Sequence, residues 1–139
     1  MFVFHDWYGL SEFVRKQSDQ FYNDLGGAVS VMSPDMYDGK LTSDPNEAGQ
    51  LVQGVVETRL ENIVNAARSY AGKKAQIVCL GWSFGGDWSL KSAILLGKQN
   101  FGSVIYYGMP IQDVEQLKTL KSDVCWVCLL QKFMFPKPS

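Results

Sequence analysis

The sequence is poor in histidine and cysteine, has no strong excess of charge of either sign, and contains no apolar run long enough to cross a bilayer. Each shortage excludes something. One histidine, His5, leaves any nucleophilic serine short of a general base. Three cysteines, Cys79, Cys125 and Cys128, without a basic-then-apolar leader in "MFVFHDWYG", argue for reduced thiols rather than a disulfide framework. Cytoplasm is the default location. A formal net charge of −1, with neither a basic stripe nor a long charge run, gives no electrostatic case for nucleic acid or an anionic membrane. What remains is ordinary: 139 residues, 46% hydrophobic and 19% charged, enough for one globular domain with a single core.

Cys125-Trp126-Val127-Cys128 spells C-x-x-C, a pattern with redox and zinc readings. A redox pair belongs at a strand-to-helix turn, whereas this one sits inside the apolar run "VCWVCLL" and has no second ligand pair for zinc. Buried strand cysteines are therefore expected, and no metal.

Five short runs, "FVF" (2–4), "AVSVM" (28–32), "AQIVCL" (75–80), "SVIYY" (103–107) and "DVCWVCLL" (123–130), are rich in β-branched and aromatic residues and apolar at nearly every position. That is the composition of parallel strands buried on both faces. Between them lie helix signals. Ser11 caps a segment carrying Phe13, Val14, Phe21 and Leu25 that stops at Gly26-Gly27. Asp44-Pro45-Asn46-Glu47 supplies a cap, a first-turn proline and a box-closing glutamate. Val56, Leu60, Ile63, Val64 and Ala67 recur at helical spacing, and residues 113–120 hold a short helix. The alternation predicts an α/β domain, an open, mostly parallel five-stranded sheet of order 2-1-3-4-5 with helices on both faces. In that order the carboxyl ends of strands one and three flank a crevice, which brings His5-Asp6-Trp7-Tyr8 and Gly81-Trp82-Ser83 together.

Gly81-Trp82-Ser83-Phe84-Gly85 is a G-x-S-x-G turn after an apolar strand and before a helix. Such a turn stands the serine hydroxyl above the sheet, and the glycines let strand and helix approach. The Phe84 amide at the helix N-terminus can donate to an oxyanion, and the Trp7 amide supplies the second donor. The bland alternative is a glycine-rich turn with a capping serine. Tyr8, Tyr37 and Trp82, with Trp7 and Trp88, can line an apolar substrate pocket, though aromatics in a small domain are commonly core. Asp35 and Asp38 in "SPDMYDG" read as turn formers rather than a paired acid site.

"FHDWYGL", "SPDMYDGKLTSDPNEA", "GWSFGG" and "VIYYG" occur in the order and at about the spacing of the dienelactone hydrolase family, an α/β-hydrolase branch that the chain resembles from residue 2 to about 124. The resemblance implies hydrolysis of small-molecule esters or lactones through a covalent acyl-enzyme, with no cofactor. It puts Ser83 where the family keeps its nucleophile, a cysteine in the best-known members. Asp6 stands where many members carry a glutamate, and His5 at a position that shapes the oxyanion loop. The family's acid and histidine would follow the "DVCWVCLL" strand, and "QKFMFPKPS" offers neither, so the expectation is an incomplete single domain over residues 1–139. Such a chain lacks the family's first strands and its C-terminal catalytic segment, is inactive or very weak for want of a base, and is prone to self-association through an exposed last strand. His5 is weighed as the base, but Asp6 cannot easily orient its ring from the adjacent residue, so a structural role is favoured and no base is evident. The alternative is a non-catalytic α/β binding module, a degenerate hydrolase or flavodoxin-like domain; the flavin version is disfavoured by the absence of a phosphate loop after strand one.

Overall fold

The computed structural model describes residues 1–109 and 111–128. Its sheet has four strands, all parallel, in the order β1 (Phe2–Phe4), β2 (Ile77–Trp82), β3 (Asn100–Tyr106), β4 (Val124–Val127). The helices are α1 (Glu12–Asp24), α2 (Pro45–Gln53), α3 (Glu57–Ala71), α4 (Phe84–Leu96) and the short α5 (Val114–Leu117). No helix of the described residues is long and apolar enough to cross a membrane.

Local signals set the helix ends. Ser11 accepts from the Val14 amide at the start of α1, and the chain leaves that helix through Gly26 and Gly27 at φ 63° and 69°, where a side chain would be strained. Asp44 caps α2 by accepting from the amides of Asn46 and Glu47 at 2.8 and 3.0 Å. The box closes through an intermediary: the Thr42 hydroxyl accepts from the Asp44 amide and donates to Glu47.

The strands are too short to be stable without burying both faces. In β1, Phe2 and Phe4 join a core with Leu60, Val64, Ile77, Cys79, Trp88 and Leu96 beneath α3 and α4. Val3 points the other way, into a second core with Leu10, Val14, Leu80 and Trp82 under α1. All three β1 side chains are buried, as the continuous apolar run predicts.

Two expectations are corrected. The run "AVSVM" is not a strand; it contributes one parallel bridge, Met32 beside Phe2, so the five-stranded order 2-1-3-4-5 gives way to a four-stranded sheet. Only the last residues of that run lie alongside β1, which is itself three residues long, while Ala28 and Ser30 are exposed. The second correction concerns "DVCWVCLL". Cys79 is fully buried, and burial pushes its thiol up to about 12, but Cys125 and Cys128 are exposed together with Trp126 and Val127. Strand β4 is the sheet edge, and among the described residues its principal neighbour is β3. The last two residues of that run and the segment "QKFMFPKPS" lie outside the described residues.

The tightest constraint lies where α4 meets the sheet. A Cβ on Gly85 would stand 2.3 Å from the carbonyl oxygens of both Phe4 and His5, and one on Gly81 would stand 2.0 Å from the Gly85 carbonyl oxygen. These are backbone atoms and cannot yield without shifting β1. Gly85→Ala is therefore expected to cost about 3 kcal/mol or more, or to prevent folding, whereas Gly49→Ala, inside α2, should gain about 0.5 to 1 kcal/mol. Nothing lies within 4 Å of the Cβ that Gly49→Ala adds. Urea unfolding of the two variants checks this, and equal effects would refute the close approach.

Candidate active site

Ser83 is the single residue between β2 and α4. Its backbone lies at φ 52° and ψ −116°, a conformation that L-residues avoid and that persists only when neighbours enforce it. Two hydrogen bonds hold it: the Ser83 amide donates to the Tyr106 carbonyl at 2.8 Å, and the Asp87 amide donates to the Ser83 carbonyl at 3.1 Å. Gly81 and Gly85 permit the approach described above. The side chain is half-buried at the carboxyl end of the sheet. Phe84, the first residue of α4, has an amide with no intrahelical acceptor.

The loop after β1 lies against this turn, since Gly85 packs under the Phe4 and His5 carbonyls. His5 is fully buried. Its Nε2 accepts from the Met36 amide at 3.0 Å, so its proton resides on Nδ1, which donates to the Asp6 carbonyl at 2.6 Å. Desolvation lowers its pKa, partly countered by that carbonyl bond and by Asp35 and Asp6, which favours the neutral ring. With both nitrogens engaged, His5 has no free site for the Ser83 proton. Asp6 is half-buried and accepts from the Tyr8 amide at 2.9 Å, closing an Asx turn. Trp7 and Tyr8 are half-buried and pack edge to face at 5.4 Å.

The sequence-predicted aromatics divide. The ring of Trp82 is stacked between Phe21 and Tyr106, at 6.3 and 5.8 Å, in the core under α1. Alternation explains it, because the residue before Ser83 points to the opposite face from Gly81, where α4 docks. Tyr37 is buried behind His5 and Phe84, with centroids 4.8 and 5.2 Å away, and its hydroxyl has no partner among the described residues. Burial raises its pKa. Trp88 is buried in the same core, under the Lys91 ammonium. Asp35 accepts from the amides of Tyr37 and Gly39, and Asp38 pairs with Arg59, so the "SPDMYDG" acids build a turn.

Two residues escaped sequence reasoning. Tyr107, just past β3, is held at φ 45° and is exposed. Asp87, one helical turn beyond Ser83, borders a cavity of about 350 Å³ that Phe84, Trp88, Lys91 and Met109 also line. Its Oδ1 is buried without a partner among the described residues. The available signal was a lone acid in an otherwise apolar helix start, "FGGDWSL".

A strained serine stands on a strand-to-helix turn with glycines flanking it and a second loop within contact, and the dienelactone hydrolase family matches residues 1–138. The chain belongs to the dienelactone hydrolase family. It is 27% identical over 121 residues to "Protein usf" of Aquifex pyrophilus, a match covering 78% of this chain and 50% of that protein. It is 26% identical over 118 residues to a "Putative carboxymethylenebutenolidase" of Aquifex aeolicus (strain VF5), again 78% and 50%. Among solved structures, a dienelactone hydrolase-like promiscuous phosphotriesterase from metagenomic libraries superposes with a TM-score of 0.69 at 19% identity, covering 90% of this chain and 54% of that one. This last likeness shows the fold. The family member described here spans about half the length of the curated relatives it matches.

Asp87 generates a pH dependence. Burial pushes its carboxyl up to about 6, with the Met109 amide and Lys91 acting in the opposite sense. A raised native pKa means that between about pH 4 and the native value the folded chain holds a proton that the unfolded chain has released. Stability from this group is therefore lost as pH rises through that window and is constant above it. Asp87→Asn should show a denaturation midpoint that climbs relative to wild type over the same window and then levels. Urea titrations at a series of pH values measure it, and a pH-independent difference would show that the carboxyl is not desolvated.

Proposed function

We propose that this family member carries the nucleophile half of a carboxylic ester or lactone hydrolase, with Ser83 as nucleophile. Ser83 Oγ attacks the substrate carbonyl carbon, and the amides of Phe84 and Trp7 receive the developing oxyanion. With no side chain assigned as base, solvent water takes the Oγ–H proton and returns one to the departing alkoxide; a second water then adds to the acyl carbonyl, releasing the carboxylic acid and restoring the Ser83 hydroxyl. Trp7 and Tyr8 line the rim, and Asp6 is the acid beside the resting nucleophile. The observation that carries the reading is the backbone of Ser83, a non-glycine residue held at φ 52° between strand and helix. The carboxymethylenebutenolidase name of one relative supports an ester or lactone substrate over other classes.

The reading includes a deficit. His5 is the sequence's one histidine, and both its nitrogens are bonded to backbone groups. This favours a second reading, a binding module whose elbow is no longer catalytic. The two separate on Ser83 chemistry. An aryl phosphonofluoridate should add one phosphonyl group to wild type and none to Ser83→Ala, seen by intact mass. Turnover of a short-chain aryl ester by the chain alone should stay close to the Ser83→Ala background, because loss of a triad base removes a factor of about 10⁴ to 10⁶. No adduct at Ser83 would favour the binding module. Robust turnover that depends on Ser83 would refute the missing base.

The chain is also proposed to associate through β4. The amides of Ser103 and Tyr107 donate to the carbonyls of Asp123 and Val127, so those positions of the last strand face β3 and the alternate ones, Val124 and Trp126, turn their backbone groups to the open side. Sedimentation should show concentration-dependent association that Trp126→Lys weakens. A monomer at every accessible concentration would overturn this.

A further inference from the structure

We propose that two copies of this chain pair antiparallel along β4 about a two-fold axis at Cys125, and that this register sets the two Cys125 thiols opposite each other, where a low-molecular-weight disulfide converts them to an intermolecular disulfide. The proposal rests on the association through β4 given above and supplies its register and its chemistry.

The C-x-x-C pattern cannot close on itself. Cys125 lies inside β4 and Cys128 just past its end, so their side chains turn to opposite faces. At roughly 3.3 Å per residue their Cα atoms stand about 10 Å apart, beyond the ~7 Å that a disulfide spans. Cys79 is fully buried, whereas both thiols of the motif are exposed and open to reagents in solution.

The ladder to β3 decides which of them can meet its own copy. The amides of Ser103 and Tyr107 donate to the carbonyls of Asp123 and Val127 at 3.1 and 2.9 Å, so Asp123, Cys125 and Val127 address β3 while Val124 and Trp126 address the open side. When such an edge pairs antiparallel, the outward residues take the hydrogen-bonded sites and the inward ones the non-hydrogen-bonded sites. An axis at Cys125 therefore joins Val124 to Trp126 of the second copy twice, and leaves the two Cys125 facing each other with Cα atoms about 4.5 Å apart, inside disulfide range. Cys128 then falls opposite Ser122. An axis at Trp126 instead sets Cys125 opposite Val127 and Cys128 opposite Val124, and no thiols meet. The pairing also covers Trp126 and Val127, which are 39% and 38% exposed in one copy. A four-residue edge is a small interface, so the reduced pair dissociates on dilution, and the covalent bond is what makes it persist.

The step balances by thiol–disulfide exchange. One Cys125 thiolate attacks oxidised glutathione, forms a mixed disulfide and expels one glutathione thiolate. The second Cys125 thiolate attacks the protein sulfur of that mixed disulfide and expels the other. Two protein thiols are oxidised, one glutathione disulfide is reduced, and the two cysteine protons end on the released glutathione. An excess of reduced glutathione reverses it.

The full chain incubated with oxidised and reduced glutathione, quenched with N-ethylmaleimide and read by intact mass and non-reducing electrophoresis, tests this. Wild type and Cys128→Ser are expected to give a covalent dimer that survives about a hundredfold dilution, and Cys125→Ser to give none. Val124→Pro removes an outward amide, a change that an edge strand tolerates, and is expected to slow the dimer about tenfold while the mixed disulfide forms at the wild-type rate. If that variant does not fold, Trp126→Lys carries the same comparison. A dimer linked through Cys128, or one that neither variant slows, would mean collision of exposed thiols and overturn the register. Sedimentation of the reduced chain keeps the two readings apart: reversible association without a Cys125-linked dimer refutes the register alone, and a monomer that also forms no covalent dimer refutes association through β4 with it.

Discussion

The contact between Gly85 and the carbonyls of Phe4 and His5 sets the geometry on which the candidate site depends. Helix α4 begins so close to the sheet that no side chain fits at Gly81 or Gly85, and this brings the helix N-terminus up against the loop that follows β1. The same closeness explains the backbone of Ser83. A chain that must pass from β2 to α4 in one residue, with its amide tied to Tyr106 and its carbonyl to Asp87, has no relaxed conformation available. The strain is held in place by packing on both sides.

Around this contact the protein buries polar groups in two different ways. His5 is fully buried with each ring nitrogen matched to a backbone partner, so its burial is compensated and the neutral ring is favoured. Asp87 is less well matched. Its Oδ1 lacks a partner among the described residues and its carboxyl is pushed up to about 6, so a proton-sensitive group stands one helical turn from Ser83.

Where the chain meets the open side of β4, the balance reverses. Strand β4 has the composition of a buried strand and the exposure of an edge, with Cys125, Trp126 and Val127 accessible. Its apolar character reports what such a strand is suited to pack against. The chain spans about half the length of the curated relatives it matches.

Much of the architecture was legible in the sequence. Strand-helix alternation, the Ser11 and Asp44 caps and the G-x-S-x-G turn are local signals, carried by residue type and spacing within a few positions, and the parallel α/β sheet and the strand-to-helix turn at Ser83 follow from them. Strand formation at "AVSVM" was not legible, because pairing needs a partner of matching length, and β1 is only three residues long. The exposure of Cys125 and Cys128 was not legible either, since an apolar run looks the same whether or not something covers it. Residue type left the roles of Trp82 and His5 open as well. The side of the sheet to which Trp82 turns, and the Met36 amide that engages the imidazole, depend on segments distant in sequence meeting in space. The sequence by itself determined where the strand-to-helix turn and the helix caps fall; the tertiary structure decided which side chains are engaged or buried, because hydrogen-bond partners and burial are properties of the assembled neighbours.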